Sequence, residues 1–296
     1  MVQIPYTAIG VPKVSYVEHN GANFKIVEWE HAGEYKGQIL YVHGFAEDST
    51  IYTEFFDKLS QKGYNIYFFD QRGSGETSPG KQVGKTDEFH TFNDLDFMLK
   101  RLVDAQTKPE QLYLFGHSMG GGIILNYAIR GKYRDHIRAV VASAPMVTLH
   151  PNTQPNFIVR ALSPVINRLA PNLKIDSKLN IDYVTSNKKW QQYIREHDQK
   201  LIGTSRLFFD MFARGEALTK PEYVSKFSPD IALLLLHGTD DSINHYDGSR
   251  KFYSLLSDNV DKEFVDVKEA RHSLFIEKDE ILIPLLDKIL DFLSKH

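Results

Sequence analysis

Short runs of apolar residues rich in Val, Ile, Leu and aromatics alternate along this chain with longer stretches whose apolar positions recur every three to four residues. The first kind predicts strands and the second helices, and their alternation marks parallel strands joined by crossover helices. The pattern predicts strands over 13–19, 24–30, 37–42, 64–69, 111–115, 137–143, 231–236 and 262–267. Helices are predicted near 53–62, 92–106, 119–131, 246–256 and 279–294. Asn20-Gly21, between the first two strands, favours a tight turn, so an antiparallel hairpin leads into a mostly parallel eight-stranded sheet flanked by helices.

The alternation fails over residues 147–225, where prolines at 151, 155, 164, 171 and 221 punctuate short helical pieces and no clear strand emerges. The expected organisation is one domain over 1–296 with a helical cap or lid inserted at 147–225. Phe157, Ile158, Ala161 and Leu162 form one apolar stripe; Ser163-Pro164 then has the form of a cap and first turn restarting a helix through Val165, Ile166 and Leu169. A second cluster is "LFFDMF" at 207–212. Such stripes either pack the insertion onto the main domain or line an apolar pocket and touch lipid.

Composition narrows the function. With 42% apolar and 25% charged residues, the 296-residue chain is an ordinary globular protein with a sizeable core. A net charge of −3 without basic blocks gives no field for a nucleic acid. The absence of cysteine excludes disulfides, thiolate metal sites and a cysteine nucleophile. The longest purely apolar run, 231–236, is far too short to span a bilayer. Two stretches resemble phosphate-binding loops but fail in detail: Gln82 follows the lysine of "GETSPGK" where Ser or Thr is required, and Pro79 replaces the first glycine of "PGKQVGKT". No nucleotide, cofactor or metal is expected.

The candidate chemistry lies in "FGHSMGGG", residues 115–122. A G-x-S-x-G alone turns up by chance in roughly one in ten chains of this length. Here a predicted strand precedes it and a helix follows, the setting of a nucleophile elbow at Ser118 rather than of a passive glycine-rich turn. A serine hydroxyl needs a histidine base, itself oriented by a carboxylate. The strand "IALLLLHG" runs into Asp240 and Asp241, and the strand after it leads to His272. Both positions fall at the carboxyl edge where open α/β sheets build their sites. Asp241 is preferred on its G-x-x-D spacing from Gly238, with Asp240 as the alternative. Oxyanion donors are expected at the backbone N–H of Met119, directly after the serine, and of Phe45, in the turn after the third strand.

These blocks, with "VHGFAEDS", "FDQRGSGETSPGKQVGKTDEFHTFNDL", "HGTDDSIN" and "ARHSLF", resemble the monoacylglycerol lipases of the α/β-hydrolase superfamily, most closely the fungal monoglyceride lipases. The resemblance runs from about 42 to 275 and implies Ser118 as nucleophile, Asp241 as orienting acid, His272 as base, and Phe45 with Met119 as the oxyanion hole. It further implies that Glu47 binds the glycerol end, with a contribution from Tyr193. The chain departs from mammalian relatives at Ile51, where an arginine supporting glycerol recognition is expected, and in having no cysteine.

The expected activity is hydrolysis of monoacylglycerols to glycerol and fatty acid through an acyl-enzyme. An apolar acyl pocket is then required, and Leu162, Val165, Leu207, Phe209 and Phe212 are the residues expected to line it. Peripheral contact with a membrane, lipid-droplet or endoplasmic-reticulum surface is expected of a cytoplasmic enzyme on such a substrate. The competing activities on the same scaffold are lysophospholipase, acyl thioesterase and general carboxylesterase. The competing class is a non-catalytic ligand binder on a hydrolase fold.

Overall fold

The computed structural model describes residues 3–105, 111–197 and 201–296. Its frame is an eight-stranded sheet in the spatial order β1 (Lys13–His19), β2 (Ala22–Trp29), β4 (Tyr64–Phe69), β3 (Gly37–Val42), β5 (Leu112–His117), β6 (Ala139–Ser143), β9 (Ala232–Gly238) and β10 (Lys262–Val267). The pairs β1/β2 and β2/β4 are antiparallel and the rest parallel. Asn20 and Gly21 both take positive φ, 47° and 75°, as the hairpin turn between β1 and β2 demands.

Helices cover both faces. α1 (Thr53–Ser60) and α9 (Asp279–Lys295) pack with Tyr41, Phe68, Phe115 and Leu234 on one face. On the other, α2 (Glu88–Ala105), α3 (Met119–Arg130) and α8 (Tyr246–Leu255) pack with Leu40, Leu114, Val140 and Leu235. The central strands β3, β5, β6 and β9 are therefore buried almost throughout, which is why they read as continuous apolar runs. α2 starts four residues earlier than expected, because Phe89 in its first turn points outward and leaves no apolar stripe there. The predicted end of that helix, residue 106, lies outside the described residues.

Between β6 and β9 the chain forms α4 (Phe157–Leu169), α5 (Lys188–Glu196), α6 (Ser205–Ala217) and α7 (Pro221–Val224). It also forms an antiparallel pair, β7 (Lys174–Asp176) with β8 (Ile202–Thr204). These strands correct the expectation of none in this region; at three residues each they are too short to leave an alternating pattern. A second correction concerns Pro164, which lies inside one continuous α4 instead of restarting a helix. The glycine-rich loop at 79–86 anchors this segment: Gly84 O accepts from Thr204 N at 3.1 Å and Thr204 Oγ1 at 2.8 Å. Among the described residues no helix is long and apolar enough to cross a membrane.

The turn from β5 into α3 is held against the end of β3 with almost no room. A Cβ on Gly120 would stand 2.0 Å from Val42 O and 2.6 Å from His43 O, both backbone atoms. Gly120→Ala is therefore expected to destabilise the fold by about 3 kcal/mol or more, since backbone must move to admit the methyl group. Urea unfolding checks this; a loss below about 1 kcal/mol would mean that the approach is looser than described.

Candidate active site

Ser118 sits on the sharp turn between β5 and α3 with φ 53° and ψ −117°, a conformation that a residue with a side chain rarely adopts. Its backbone is pinned on both sides. Ser118 N donates to Ser143 O at 3.0 Å, and Ser118 O accepts from Gly122 N at 3.0 Å and Met146 N at 2.9 Å. The strain is thus paid within the turn, and the half-buried side chain projects at the carboxyl edge of the sheet. Helix geometry leaves the N–H of Met119, the first residue of α3, without an intrahelical acceptor, beside the positive end of the helix dipole.

Asp241 follows β9, and its two oxygens divide the work. Oδ1 accepts from the N–H groups of Ile243 at 2.7 Å and Asn244 at 3.0 Å, fixing the carboxylate plane. Oδ2 accepts from His272 Nδ1 at 2.8 Å and stands 3.2 Å from His237 Nε2. Burial opposes the charge, but His272 and the hydrogen bonds from His237 and His272 hold the carboxyl well below its ordinary range. Asp240 is exposed, with its carboxylate 3.2 Å from the Thr239 hydroxyl, so the structure separates the two candidates. The N-cap of α8 is His245, not an aspartate.

His272 is 4% exposed, and its Nδ1 proton is committed to Asp241, which leaves Nε2 as the basic nitrogen. Its loop is held by residues preceding α5: His272 N donates to Tyr183 O at 3.4 Å and Ser273 N to Val184 O at 2.7 Å. The ring lies 4.7 Å from that of His117, the residue before Ser118. His117 donates from Nδ1 to Ser143 O, accepts at Nε2 from the Ser273 hydroxyl, and is kept neutral by burial and by the neighbouring His272. His237 is fully buried between Ser249 and Asp241, a support for the acid rather than a second base.

The turn after β3 carries the second donor expected from sequence. His43, wholly buried and pushed down to about 4 by burial, donates from Nδ1 to Gly44 O and accepts from Gln71 N at 2.9 Å. This neutral strut fixes the turn that presents Phe45. Glu47 accepts from Gly44 N at 2.5 Å and from the Tyr52 hydroxyl, and lies 3.5 Å from His117 Nε2. Burial pushes its carboxyl up to about 7 against those hydrogen bonds and the charge of His272.

Phe45 and Glu47 both line a cavity of ≈ 300 Å³ that also meets Asp48, Ser74, Val83, His197, Ile202 and Leu207. The lining is mixed, apolar at Phe45, Val83, Ile202 and Leu207 and polar at Glu47, Asp48, Ser74 and His197, and it does not include Ser118, Met119, Asp241 or His272. Of the residues expected to line an acyl pocket, Leu207 is there. Phe212 stacks on Phe208, whose ring lies 5.2 Å from Phe45, while Phe209 is half-buried and outside the cavity wall. Leu162 and Val165 are turned outward on α4, 49% and 52% exposed, which corrects their expected place on the pocket wall. Tyr193 does not touch this wall; its hydroxyl donates to Thr50 Oγ1 at 2.7 Å and its ring stacks on His197. Ile51 is a core residue. Sequence reading missed Phe208, Asp48 and His197. The five apolar residues within 207–212 wrap too far round the helix for periodicity to choose a face, and Asp48 and His197 meet only through the fold.

The chain is similar to known proteins along its whole length. Residues 33–279 match a family model described as serine aminopeptidase, S33. The whole chain is 37% identical to the monoglyceride lipase of Saccharomyces cerevisiae, of which it covers 98%. It is 34% identical over 88% of its length to a putative monoglyceride lipase of Schizosaccharomyces pombe, covering 68% of that protein. It superposes on the crystal structure of a soluble variant of the S. cerevisiae monoglyceride lipase, in complex with a substrate analog, with TM-score 0.94, 36% identity and 99% of each chain covered. The chain therefore belongs to the monoglyceride lipase family, serine hydrolases of carboxylic esters built on the α/β-hydrolase fold.

Proposed function

We propose that this protein hydrolyses monoacylglycerols to glycerol and a free fatty acid. The observation that carries the reading is the cavity of mixed polar and apolar lining at Phe45 and Glu47, on the turn whose Gly44 packs against Ser118. Ser118 Oγ attacks the ester carbonyl carbon while His272 Nε2 takes the hydroxyl proton. The N–H groups of Phe45 and Met119 receive the oxyanion. As the C–O bond breaks, His272 returns that proton to the departing glycerol oxygen. Water, deprotonated by His272, then attacks the acyl-enzyme and frees the fatty acid and Ser118.

The apolar lining residues Phe45, Val83, Ile202 and Leu207 support an acyl chain, each buried CH₂ contributing about 0.8 kcal/mol. The inserted segment acts as a cap, supplying His197, Ile202 and Leu207 to the lining. Comparing 1-oleoylglycerol with oleoyl-lysophosphatidylcholine, oleoyl-CoA and p-nitrophenyl butyrate tests the assignment, with 1-oleoylglycerol expected to lead. Negligible glycerol release beside good turnover of another substrate sinks it. An aminoacyl p-nitroanilide belongs in the same panel, because the carboxylates Glu47 and Asp48 line the cavity and could meet a substrate amine. Asp48 is already paired with His197, and Glu47 with Tyr52 and Gly44, which favours the ester.

α4 supports contact with a lipid surface in a cytoplasmic enzyme working at membranes or droplets. Phe157, Leu162, Val165 and Leu169 are 79%, 49%, 52% and 78% exposed on one helix, more apolar surface than a helix turned to water alone ordinarily shows. In flotation with phosphatidylcholine liposomes the protein is expected in the lipid fraction and the Phe157→Glu/Leu169→Glu variant largely outside it. Equal recovery of the two would refute a role for α4.

A further inference from the structure

Asp241 meets a second imidazole besides that of His272, and the catalytic steps above give that ring no part. His237, on β9 four residues before the acid, is wholly buried. Its Nε2 stands 3.2 Å from Asp241 Oδ2 and 3.4 Å from Asn244 O, both acceptors, so a ring proton lies on that nitrogen. Its Nδ1 lies 2.8 Å from the hydroxyl of Ser249, a residue of α8 that is itself wholly buried, and accepts from it. Ser249 thus fixes the ring with its Nε2 proton toward the acid.

Oδ2 is therefore shared. With Oδ1 taken up by the N–H groups of Ile243 and Asn244, and Oδ2 facing His272 Nδ1 at 2.8 Å and His237 Nε2 at 3.2 Å, the carboxylate has no acceptor position to spare. A second donor on Oδ2 leaves less of its charge to draw on His272. The base must have Nε2 free of a proton before it can take one from Ser118, and a carboxylate acting on His272 alone would hold the imidazolium more tightly. Burial raises the carboxyl of Asp241, and the charge of His272 with the bonds from His237 and His272 keeps it low. The other titratable neighbours are committed elsewhere. His117 is held neutral by burial and by His272, and Glu47, which feels the charge of His272, is bound to Gly44 N and the Tyr52 hydroxyl. Tyr246 packs edge-on against His237 and donates to Asp266, which lies across from His237 on β10 and is also held by Arg250 at 2.6 Å.

We infer that His237 is a positioning residue for the reaction: as a second donor on Asp241 Oδ2 it divides the pull of the acid and lets His272 act as a base at lower pH than an acid–histidine pair alone would allow. This rests on the ester-hydrolase reading above and adds a residue to its machinery. Removing the donor returns the whole charge of Oδ2 to His272, so the base holds its proton to higher pH. A ring that only packed the site would lower the rate alike at every pH.

The experiment follows the second-order rate of fluorophosphonate labelling, and kcat/KM on 1-oleoylglycerol, from about pH 5 to about pH 9. His237→Phe, which keeps a ring and removes the donor, is expected to move the acid limb of both profiles up by about one pH unit, with rates about tenfold lower on the acid side and much less affected on the plateau. His237→Gln, whose amide can donate to Oδ2 and accept from Ser249, should restore the limb to within about 0.3 of a pH unit of native. If His237→Phe is recovered unfolded, His237→Phe/Ser249→Ala, which also removes the hydroxyl left without its partner, replaces it. A limb that stays in place or moves down without the donor overturns the proposal, as does an equal displacement in His237→Gln. Labelling depends on Ser118 and His272 and on no particular ester. A native protein that is labelled but releases no glycerol from 1-oleoylglycerol therefore overturns the substrate assignment, while the labelling profiles still decide the role of His237. A native protein that is not labelled at all overturns both.

Discussion

Ser118→Ala is expected to lower kcat on 1-oleoylglycerol by about 10⁵- to 10⁶-fold, with labelling by a fluorophosphonate lost altogether. At about 1.4 kcal/mol per factor of ten, that is roughly 7–8 kcal/mol of transition-state stabilisation. No other hydroxyl can take over, because the elbow aims this one alone: Ser118 follows β5 directly and its backbone is fixed by Ser143, Gly122 and Met146. The same backbone makes a second, opposite expectation. A φ of 53° with ψ of −117° costs a side-chain-bearing residue about 1–3 kcal/mol, and only glycine escapes it. Ser118→Gly should therefore unfold at higher denaturant than the native protein, by about 1 kcal/mol after allowing for the greater freedom of glycine in the unfolded chain. Retained labelling in Ser118→Ala would remove the serine from the reaction. A Ser118→Gly variant no more stable than Ser118→Ala would show the turn to be unstrained.

What the sequence could convey follows from the range over which each feature is encoded. The elbow is local: strand, glycine, serine, glycine and helix are contiguous, so Ser118 and Met119 are legible without any knowledge of the fold. Asp241 and His272 are legible one step further on, because each follows a strand whose apolar run is unmistakable and strand ends converge at one edge of a parallel sheet. The insertion obeys no such rule. Leu162 and Val165 look like pocket residues because they are apolar and helical, yet which way α4 turns depends on its packing against α6, which no periodicity records. The Asp48–His197 pair spans 149 residues between two loops, and neither partner sits in a pattern that names the other. The Asp240–Asp241 choice lies between these extremes: spacing from Gly238 favours one, and only burial against His272 decides.

That decision predicts the second large effect, a loss of about 10⁴-fold in kcat for Asp241→Asn beside a change within about twofold for Asp240→Asn. The argument turns on which end of the new amide faces which neighbours. Two backbone N–H groups, of Ile243 and Asn244, point at Oδ1, so the asparagine oxygen must occupy that place. Its NH₂ then takes the place of Oδ2, against His272 Nδ1 at 2.8 Å and His237 Nε2 at 3.2 Å. An NH₂ group can only donate, so His272 must accept at Nδ1 and carry its proton on Nε2, the atom that should receive the proton of Ser118. The base is thereby held in the wrong tautomer with its position unchanged, and His237 must shed its own proton from Nε2 or lose its partner. The protein should stay folded, fall in kcat far more than it rises in KM, and label slowly with a fluorophosphonate. A loss smaller than tenfold, or an equal loss in Asp240→Asn, would refute Asp241 as the group that orients His272.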